Sequence, residues 1–308
     1  MPARLRPRRS ALFVPGSNDR AVAKAATVAA DVIIFDLEDS VAPAQKEAAR
    51  ETVAAAVTEL VGGRREIVVR INGLDSPWVA RDIAAMVAVK PDALLVPKIE
   101  RTDDIRRVRA ALGAARATKS QTLWVMIETP AAILNAAAIA AVAAMPAPPI
   151  AAFVMGTNDL AAELRVPTRP GRAALLSHLS QALLAARAHD LAILDGTFND
   201  LDDRKALQAE CREGRDLGMD GKTVIHPSQV AIANEAFAPE PEELFWARRV
   251  VEAFALPENS SVEVMRLAGR MVERLHERSA RRVIDLAEAI AATDEEIREK
   301  AKVRRPTG

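Results

Sequence analysis

The sequence predicts an α/β fold: a TIM-type (β/α)8 barrel over residues 1–239, with a C-terminal helical extension over 240–308 that serves as a lid. Three observations carry this expectation. Short aliphatic runs recur about every 30 residues, each followed by a segment with helical apolar spacing. Several runs are apolar without alternation, as strands of a parallel sheet buried on both faces must be. Polar and ionisable residues collect just after these runs, where a barrel gathers its active-site face. The rival, an open doubly wound sheet, would scatter them along a line.

The runs, in order, are Ala11–Pro15, Val32–Asp36, Ile67–Ile71, Ala93–Pro97, Leu123–Ile127, Ala152–Met155, Ala192–Leu194 and Lys222–Ile225. Between them, Ala42–Leu60 and Leu175–Ala188 show helical spacing, and the alanine tracts Ala136–Ala144 and Ala182–Ala188 read as helices. Beyond Pro239 the pattern changes to a helix (Glu240–Phe254), a polar link (Leu256–Val262), an extended piece (Val262–Leu267), Gly269 and a long charged helix (Leu275–Lys302). The closing KVRRPTG reads as frayed. This tail is too small for an independent core, so it is expected to cover its own barrel or a neighbour's.

Half of the residues are hydrophobic, enough for one large core, and 42 Lys and Arg balance 42 Asp and Glu. No net field draws the chain to nucleic acid or to a membrane surface, so an anionic substrate must be held by local cations. The single cysteine, Cys211, cannot form an internal disulfide and suits a reducing, cytoplasmic setting. The basic start MPARLRPRRS lacks the apolar stretch of a signal peptide, and no run of about 18 apolar residues could span a bilayer. The absence of HxH, HExxH and CxxC argues against zinc; that of GxSxG and GxGxxG argues against serine hydrolases and Rossmann enzymes in their usual forms.

The polar residues after the strands are Asp36, Glu38 and Asp39, then Arg70 and Asn72, Lys98 and Glu100, Glu128, Asn158 and Asp159, Asp195, and His226. Glu128 and Asp159 both follow apolar strands, where a carboxylate is costly unless paired or metal-bound. Two carboxylates with room for water describe a Mg²⁺ site; salt bridges to Arg70 and Lys98 are the alternative. Asp159 could also cap a helix beginning at Leu160. Arg70 offers a planar fork for a substrate carboxylate, or for an internal ion pair with Asp36 or Glu38. Within PGSNDR, a turn leads into a helix on which Arg20 and Lys24 lie one turn apart, able to grip a polyphosphate. Ser17 and Asn18 there also read as ordinary caps. His226, followed by Pro227, reads as a positioned loop residue rather than a ligand.

Taken together, the segments SALFVPGSNDRAVAKA, ADVIIFDLEDSV, VVRING, LLVPKIE, VMIETPAAILNA, VMGTNDLAAEL, ILDGTFND, ECREGRDLGMDGKTVIHPSQV and GRMVERLHERSARRVIDLAEAI span nearly the whole chain. In these the chain resembles the HpcH/HpaI aldolase and citrate lyase β-subunit superfamily, on its CoA-ester lyase side. The resemblance implies a lyase cleaving or forming a C–C bond in a malyl-, β-methylmalyl- or citramalyl-CoA, giving glyoxylate or pyruvate plus an acyl-CoA. It also implies a homotrimer or homohexamer, with Mg²⁺ held by Glu128 and Asp159 and the keto-acid carboxylate held by Arg70. Asp36 and Glu38 would orient metal waters, Arg20 and Lys24 would contact the CoA nucleotide, and Ile225 and His226 would line the acyl chain's path. Many relatives carry Asp in the tail motif G-x-M-V-D, which reaches a neighbouring subunit's site; here that position is Glu273, as in some thioesterase-like relatives. Hydrolysis of the thioester is therefore the alternative outcome on the same site. A non-autonomous citrate lyase β-type subunit and a CoA-ester sensor are the non-catalytic alternatives. The superfamily's hydroxy-diacid aldolases carry a His base where this chain has DLEDSV.

Overall fold

Eight parallel strands close into a barrel in chain order: β1 (Ser10–Pro15), β2 (Val32–Asp36), β3 (Glu66–Arg70), β4 (Ala93–Val96), β5 (Thr122–Ile127), β6 (Ile150–Met155), β7 (Ala192–Asp195) and β8 (Gly221–Val224). This is a computed structural model describing residues 5–118, 121–143, 148–167 and 171–303. The end of the Ala136–Ala144 tract and the last five residues of the tail lie outside the described residues. Around the barrel run α1 (Asp19–Ala25), α2 (Lys46–Leu60), α3 (Val79–Val89), α4 (Thr102–Ala114), α5 (Pro130–Ala141), α6 (Thr157–Leu164), α7 (Ala173–Arg187), α8 (Arg204–Leu217) and α9 (Pro227–Ala236).

Both faces of the strands are buried, which is why they read as continuous apolar runs. Val32, Ile34, Val68, Leu95, Trp124 and Val154 fill the barrel interior. Their neighbours Ile33, Phe35, Ile67, Leu94, Val125 and Phe153 pack outward beneath the helices. Each fully buried aliphatic side chain contributes roughly 1.5–3 kcal/mol, so the two layers together fix the strand-end face on which the site is built. Among the described residues no helix is long and apolar enough to cross a membrane.

The extension comprises α10 (Pro241–Ala255), β9 (Val264–Leu267), β10 (Arg270–Glu273) and α11 (Arg274–Val303). The extended piece expected before Gly269 is one arm of an antiparallel hairpin, and the second arm, β10, was not expected. Ala268 (φ 48°) and Gly269 (φ 83°) both take the left-handed backbone of a type I′ turn, which pairs Leu267 with Arg270. The extension has a small core of its own, Ala247, Val250, Phe254, Val272 and Ala280, where none was expected from its length. The far end of α11 returns to the barrel: Asp294 accepts from Arg9 Nη2 (2.7 Å), and Glu296 accepts from the backbone of Arg64 (3.1 and 3.0 Å). Arg9 and Arg64 precede β1 and β3, so α11 braces the N-terminal face of its own barrel rather than covering its mouth.

Candidate active site

The parallel register of β2 and β3 sets Asp36 directly beside Arg70. Arg70 Nε and Nη2 each donate to Asp36 at 2.7 Å, forming a bidentate pair, and the guanidinium lies 4.8 Å from the centre of the Phe13 ring. Nη1 approaches Glu38 (3.2 Å) and Asp39 (3.3 Å). Burial opposes the charge on Arg70, but these carboxylates hold its pKa above the ordinary value. Asp36 also accepts from the Ser40 backbone (3.1 Å) and hydroxyl (2.5 Å) and from the Glu38 backbone (2.9 Å). Burial alone would raise its pKa, yet Arg70 leads a set of donors that lower it. Both Asp36 oxygens are thus committed to protein donors, which accounts for the DLED acids as a clamp on Arg70.

Lys46, at the start of α2, supports this clamp from behind. Its ammonium donates to the carbonyls of Leu37 (2.8 Å) and Glu38 (2.7 Å) and to Asn72 (2.7 Å). Glu38 sits between Arg70 and the Lys98 ammonium, which lies 3.3 Å away. Burial is the main cause pushing its carboxyl up to about 7, against the pull of Arg70.

Glu128 follows β5 and is 1 % exposed. One carboxylate oxygen accepts from the Lys98 backbone N–H at 2.6 Å; the other, Oε2, is buried without a hydrogen-bond partner. Burial pushes the carboxyl up to about 8, and the negative charge of Asp159 adds to the shift. Asp159 lies in the first turn of α6, which begins at Thr157 behind Gly156, so Asp159 is not the cap expected from the sequence. Its side chain makes no hydrogen bond or ion pair among the described residues. The expected alternative, salt bridges from Glu128 and Asp159 to the Arg70 and Lys98 side chains, is absent: those cations pair with Asp36, Glu38 and Asp39. At Gly156 a Cβ would fall 2.3 Å from Glu128 Cβ and 2.7 Å from Oε2, so only glycine lets β6 pass this close.

A buried carboxylate oxygen with no donor, beside a second unpaired carboxylate, fits a hard cation. Among the described residues no group of three His, Cys, Asp or Glu forms a protein-only metal cage. A two-carboxylate arrangement suits Mg²⁺, which keeps several waters or substrate oxygens in its octahedron.

Asp36, Asp39, Arg70, Gly156 and Asp159 line one cavity of ≈ 390 Å³ at the strand-end mouth, with Phe13, Met126, Thr197 and Ile225 completing its wall. Ile225 is 40 % exposed there, and His226 caps α9 through Nδ1, which meets the Ser228 backbone at 3.2 Å. Arg20 and Lys24 both lie exposed on α1, whose cap is Asn18. Glu273 ends β10; the hairpin packs on α10 and α11, and none of its residues lines this cavity. Met271 (72 % exposed) and Leu275 (55 %) flank it as exposed apolar side chains.

Sequence reasoning missed three groups. Lys46 carries no motif, because its role comes from the loop it ties down. The Lys98 backbone, at φ 55°, supplies a donor that no residue type announces. Lys222, fully buried, donates to Asp195 (2.9 Å) and Glu210 (2.6 Å), and Arg172 joins Asp195 at 2.5 Å. A lysine inside the apolar run GKTVI was the available signal.

The sequence model for HpcH/HpaI aldolase/citrate lyase matches residues 9–227. A (3S)-malyl-CoA thioesterase of Cereibacter sphaeroides is 45% identical over 286 residues, covering 93% of this chain and 96% of that protein. An L-malyl-CoA/β-methylmalyl-CoA lyase of the same organism is 34% identical over 311 residues, covering 93% of this chain and 96% of its own. The crystal structure of Mycobacterium tuberculosis CitE with magnesium, acetoacetate and coenzyme A superposes with a TM-score of 0.70 at 32% identity, covering 91% of this chain and 97% of that one.

Proposed function

Because the chain belongs to the HpcH/HpaI aldolase/citrate lyase family of enzymes, we propose that it acts on a 3-hydroxyacyl-CoA of the malyl type, with Mg²⁺ on Glu128 and Asp159. The observation that carries this reading is the buried, donorless Oε2 of Glu128 beside the unpaired Asp159. Mg²⁺ bound there would supply Lewis-acid polarisation of substrate oxygens.

The chain's own residues then divide the remaining work. Arg70 holds the substrate's free carboxylate through Nη1, in place of its longer contacts to Glu38 and Asp39, because the Nε/Nη2 fork is occupied by Asp36. Asp36 acts as the clamp that orients Arg70, and Glu38, between Arg70 and the Lys98 ammonium, is the acid that would orient water beside the mouth. Arg20 and Lys24 meet the CoA phosphates on α1, and Ile225 and His226 border the path of the acyl arm. Glu273 moves a proton at the thioester end, in the mouth of an adjacent copy. Its absence from the lining of its own cavity and the exposed Met271 and Leu275 around it support this arrangement, and with it a closed homo-oligomer such as a trimer or hexamer.

Hydrolysis of the thioester is the favoured outcome. The 45% identity to a malyl-CoA thioesterase and the glutamate at position 273 support it. Cleavage of the C–C bond to glyoxylate or pyruvate plus an acyl-CoA, the outcome expected first from the sequence, is the second reading, supported by the 34% relative. Purified protein given malyl-CoA, with and without chelator, tests both: free CoA thiol reports hydrolysis and glyoxylate reports cleavage. Neither product, or full turnover in excess chelator, overturns the proposal. Turnover only of a carrier-bound acyl group would make the chain a β-type subunit instead.

A further inference from the structure

We propose that Lys98 positions Glu128 through its backbone: the peptide N–H at the left-handed turn after β4 holds one carboxylate oxygen and leaves the other for a ligand. The inference rests on the reading of Glu128 as a metal ligand, and it adds a residue that no motif of the sequence assigns.

The geometry is unusual for a lysine. Among the described residues, the other non-glycine positions with positive φ serve local turns. Lys90 and Arg165 are helix C-caps, Arg116 and Asp190 follow helix ends, Arg172 opens α7, and Ala268 turns the hairpin. Lys98 (φ 55°) alone follows a barrel strand. An L-residue avoids this region because Cβ crowds the following carbonyl, so it persists only where the surroundings impose it. Here Pro97 and Ile99 are both buried and anchor the chain on either side.

What the turn accomplishes is visible at Glu128. The Lys98 N–H reaches Oε1 at 2.6 Å, across from β4 to the end of β5, while the bare backbone of Gly156 closes the other side. Glu128 is therefore held by backbone on two sides, with Oε2 the one oxygen not engaged. The left-handed φ turns the chain that follows, so a residue that cannot hold it strains and displaces the Pro97–Lys98 peptide whose N–H reaches Oε1. The side chain explains why a lysine occupies a position glycine would fill with less strain: its ammonium reaches Glu38 at 3.3 Å. One residue thus orients a ligand through its amide and neutralises an adjacent acid through its tip.

The test compares Lys98→Asn with Lys98→Val in the full chain, with Mn²⁺ as the probe ion, bound Mn²⁺ read by loss of its free EPR signal. Both variants lose the ammonium. Asparagine tolerates the left-handed region and β-branched valine does not. Mn²⁺ affinity should stay within about threefold of wild type in Lys98→Asn and fall at least about tenfold in Lys98→Val, the size expected when a metal ligand loses its orienting partner. Equal affinity in the two variants overturns the proposal, and equal loss in both assigns the effect to the ammonium, which also overturns it. Lys98→Leu replaces the valine variant if that one does not fold. Glu128→Gln separates the two readings: if wild type shows no Mn²⁺ binding that depends on Glu128, the metal assignment fails. The positioning claim is then judged from crystal structures, where Glu128 should be displaced in Lys98→Val and in place in Lys98→Asn. An unmoved Glu128 in both overturns it.

Discussion

Replacing Glu128 with glutamine should make the metal-free protein more stable while abolishing its activity. In the folded chain burial pushes the Glu128 carboxyl from 4.5 to about 8. Between those values the native state binds a proton that the unfolded chain has released, so stability falls as pH rises, by about 1.36 kcal/mol per unit. The loss begins near pH 4.5, reaches roughly 3 kcal/mol at pH 7, and levels off above pH 8. Glutamine keeps the Oε1 acceptor for the Lys98 amide and cannot ionise, so the variant escapes this cost. At about 2.1 cal/mol/K per residue, 3 kcal/mol is a rise in Tm of about 5 °C for a chain this long. Thermal unfolding of both proteins in chelator at pH 5, 7 and 8 reads the effect: near-equal Tm at pH 5, with the variant gaining as pH rises. Mg²⁺ should then raise the Tm of wild type and not of Glu128→Gln, because only a site that binds in the native state adds stability. A variant less stable than wild type at pH 7 in chelator, or a pH-independent difference, would refute the reasoning, since it would mean the carboxylate is already satisfied.

Two further predictions concern the cation and the arm. Arg70→Lys keeps the charge but cannot bridge both oxygens of Asp36, so kcat/KM on malyl-CoA should fall roughly tenfold to a hundredfold; an unchanged kcat/KM would remove Arg70 from the substrate. Glu273 is 44% exposed, so Glu273→Gln should leave Tm nearly unchanged, within about 0.5 kcal/mol of stability, while turnover collapses. If Glu273 serves a neighbour's barrel, co-expressing Glu273→Gln with Glu128→Gln should restore about a quarter of wild-type activity, because random mixing rebuilds that share of intact sites. No recovery would confine Glu273 to its own chain or to the surface. Truncation before Gly269 is a poorer test, because it removes α11 and with it the partners of Arg9 and of the α10 core.

The barrel was legible in the sequence because its cause is local and repeated. A strand buried on both faces must be apolar throughout, and eight such runs, each with a helix behind it, leave few other folds. The strand ends were legible for the same reason: Asp36, Arg70, Glu128 and Asp159 are charged residues where an apolar run stops, and barrel closure brings those stops together whatever the neighbours are. Pairing was not legible. Whether Arg70 meets Asp36, Glu128 or a ligand depends on the β2–β3 register, which places Asp36 against Arg70 and spends the fork expected for substrate. Register is a long-range property, and Asp36, Glu38 and Asp39 are equivalent in sequence until it is known. The hairpin escaped notice because β9 and β10 are four residues each and half exposed, so neither carries a buried apolar pattern. The Lys98 turn escaped notice because residue type says nothing about φ when tertiary packing imposes it. Sequence alone determined the barrel and put Asp36, Asp39, Arg70 and Asp159 at strand ends that line its mouth, but did not show that Asp195 is buried against Lys222 and Arg172. Only the tertiary structure decided which of them are already satisfied and which, like Oε2 of Glu128, have no protein donor, because satisfaction is set by distances of a few ångströms between groups far apart in the chain.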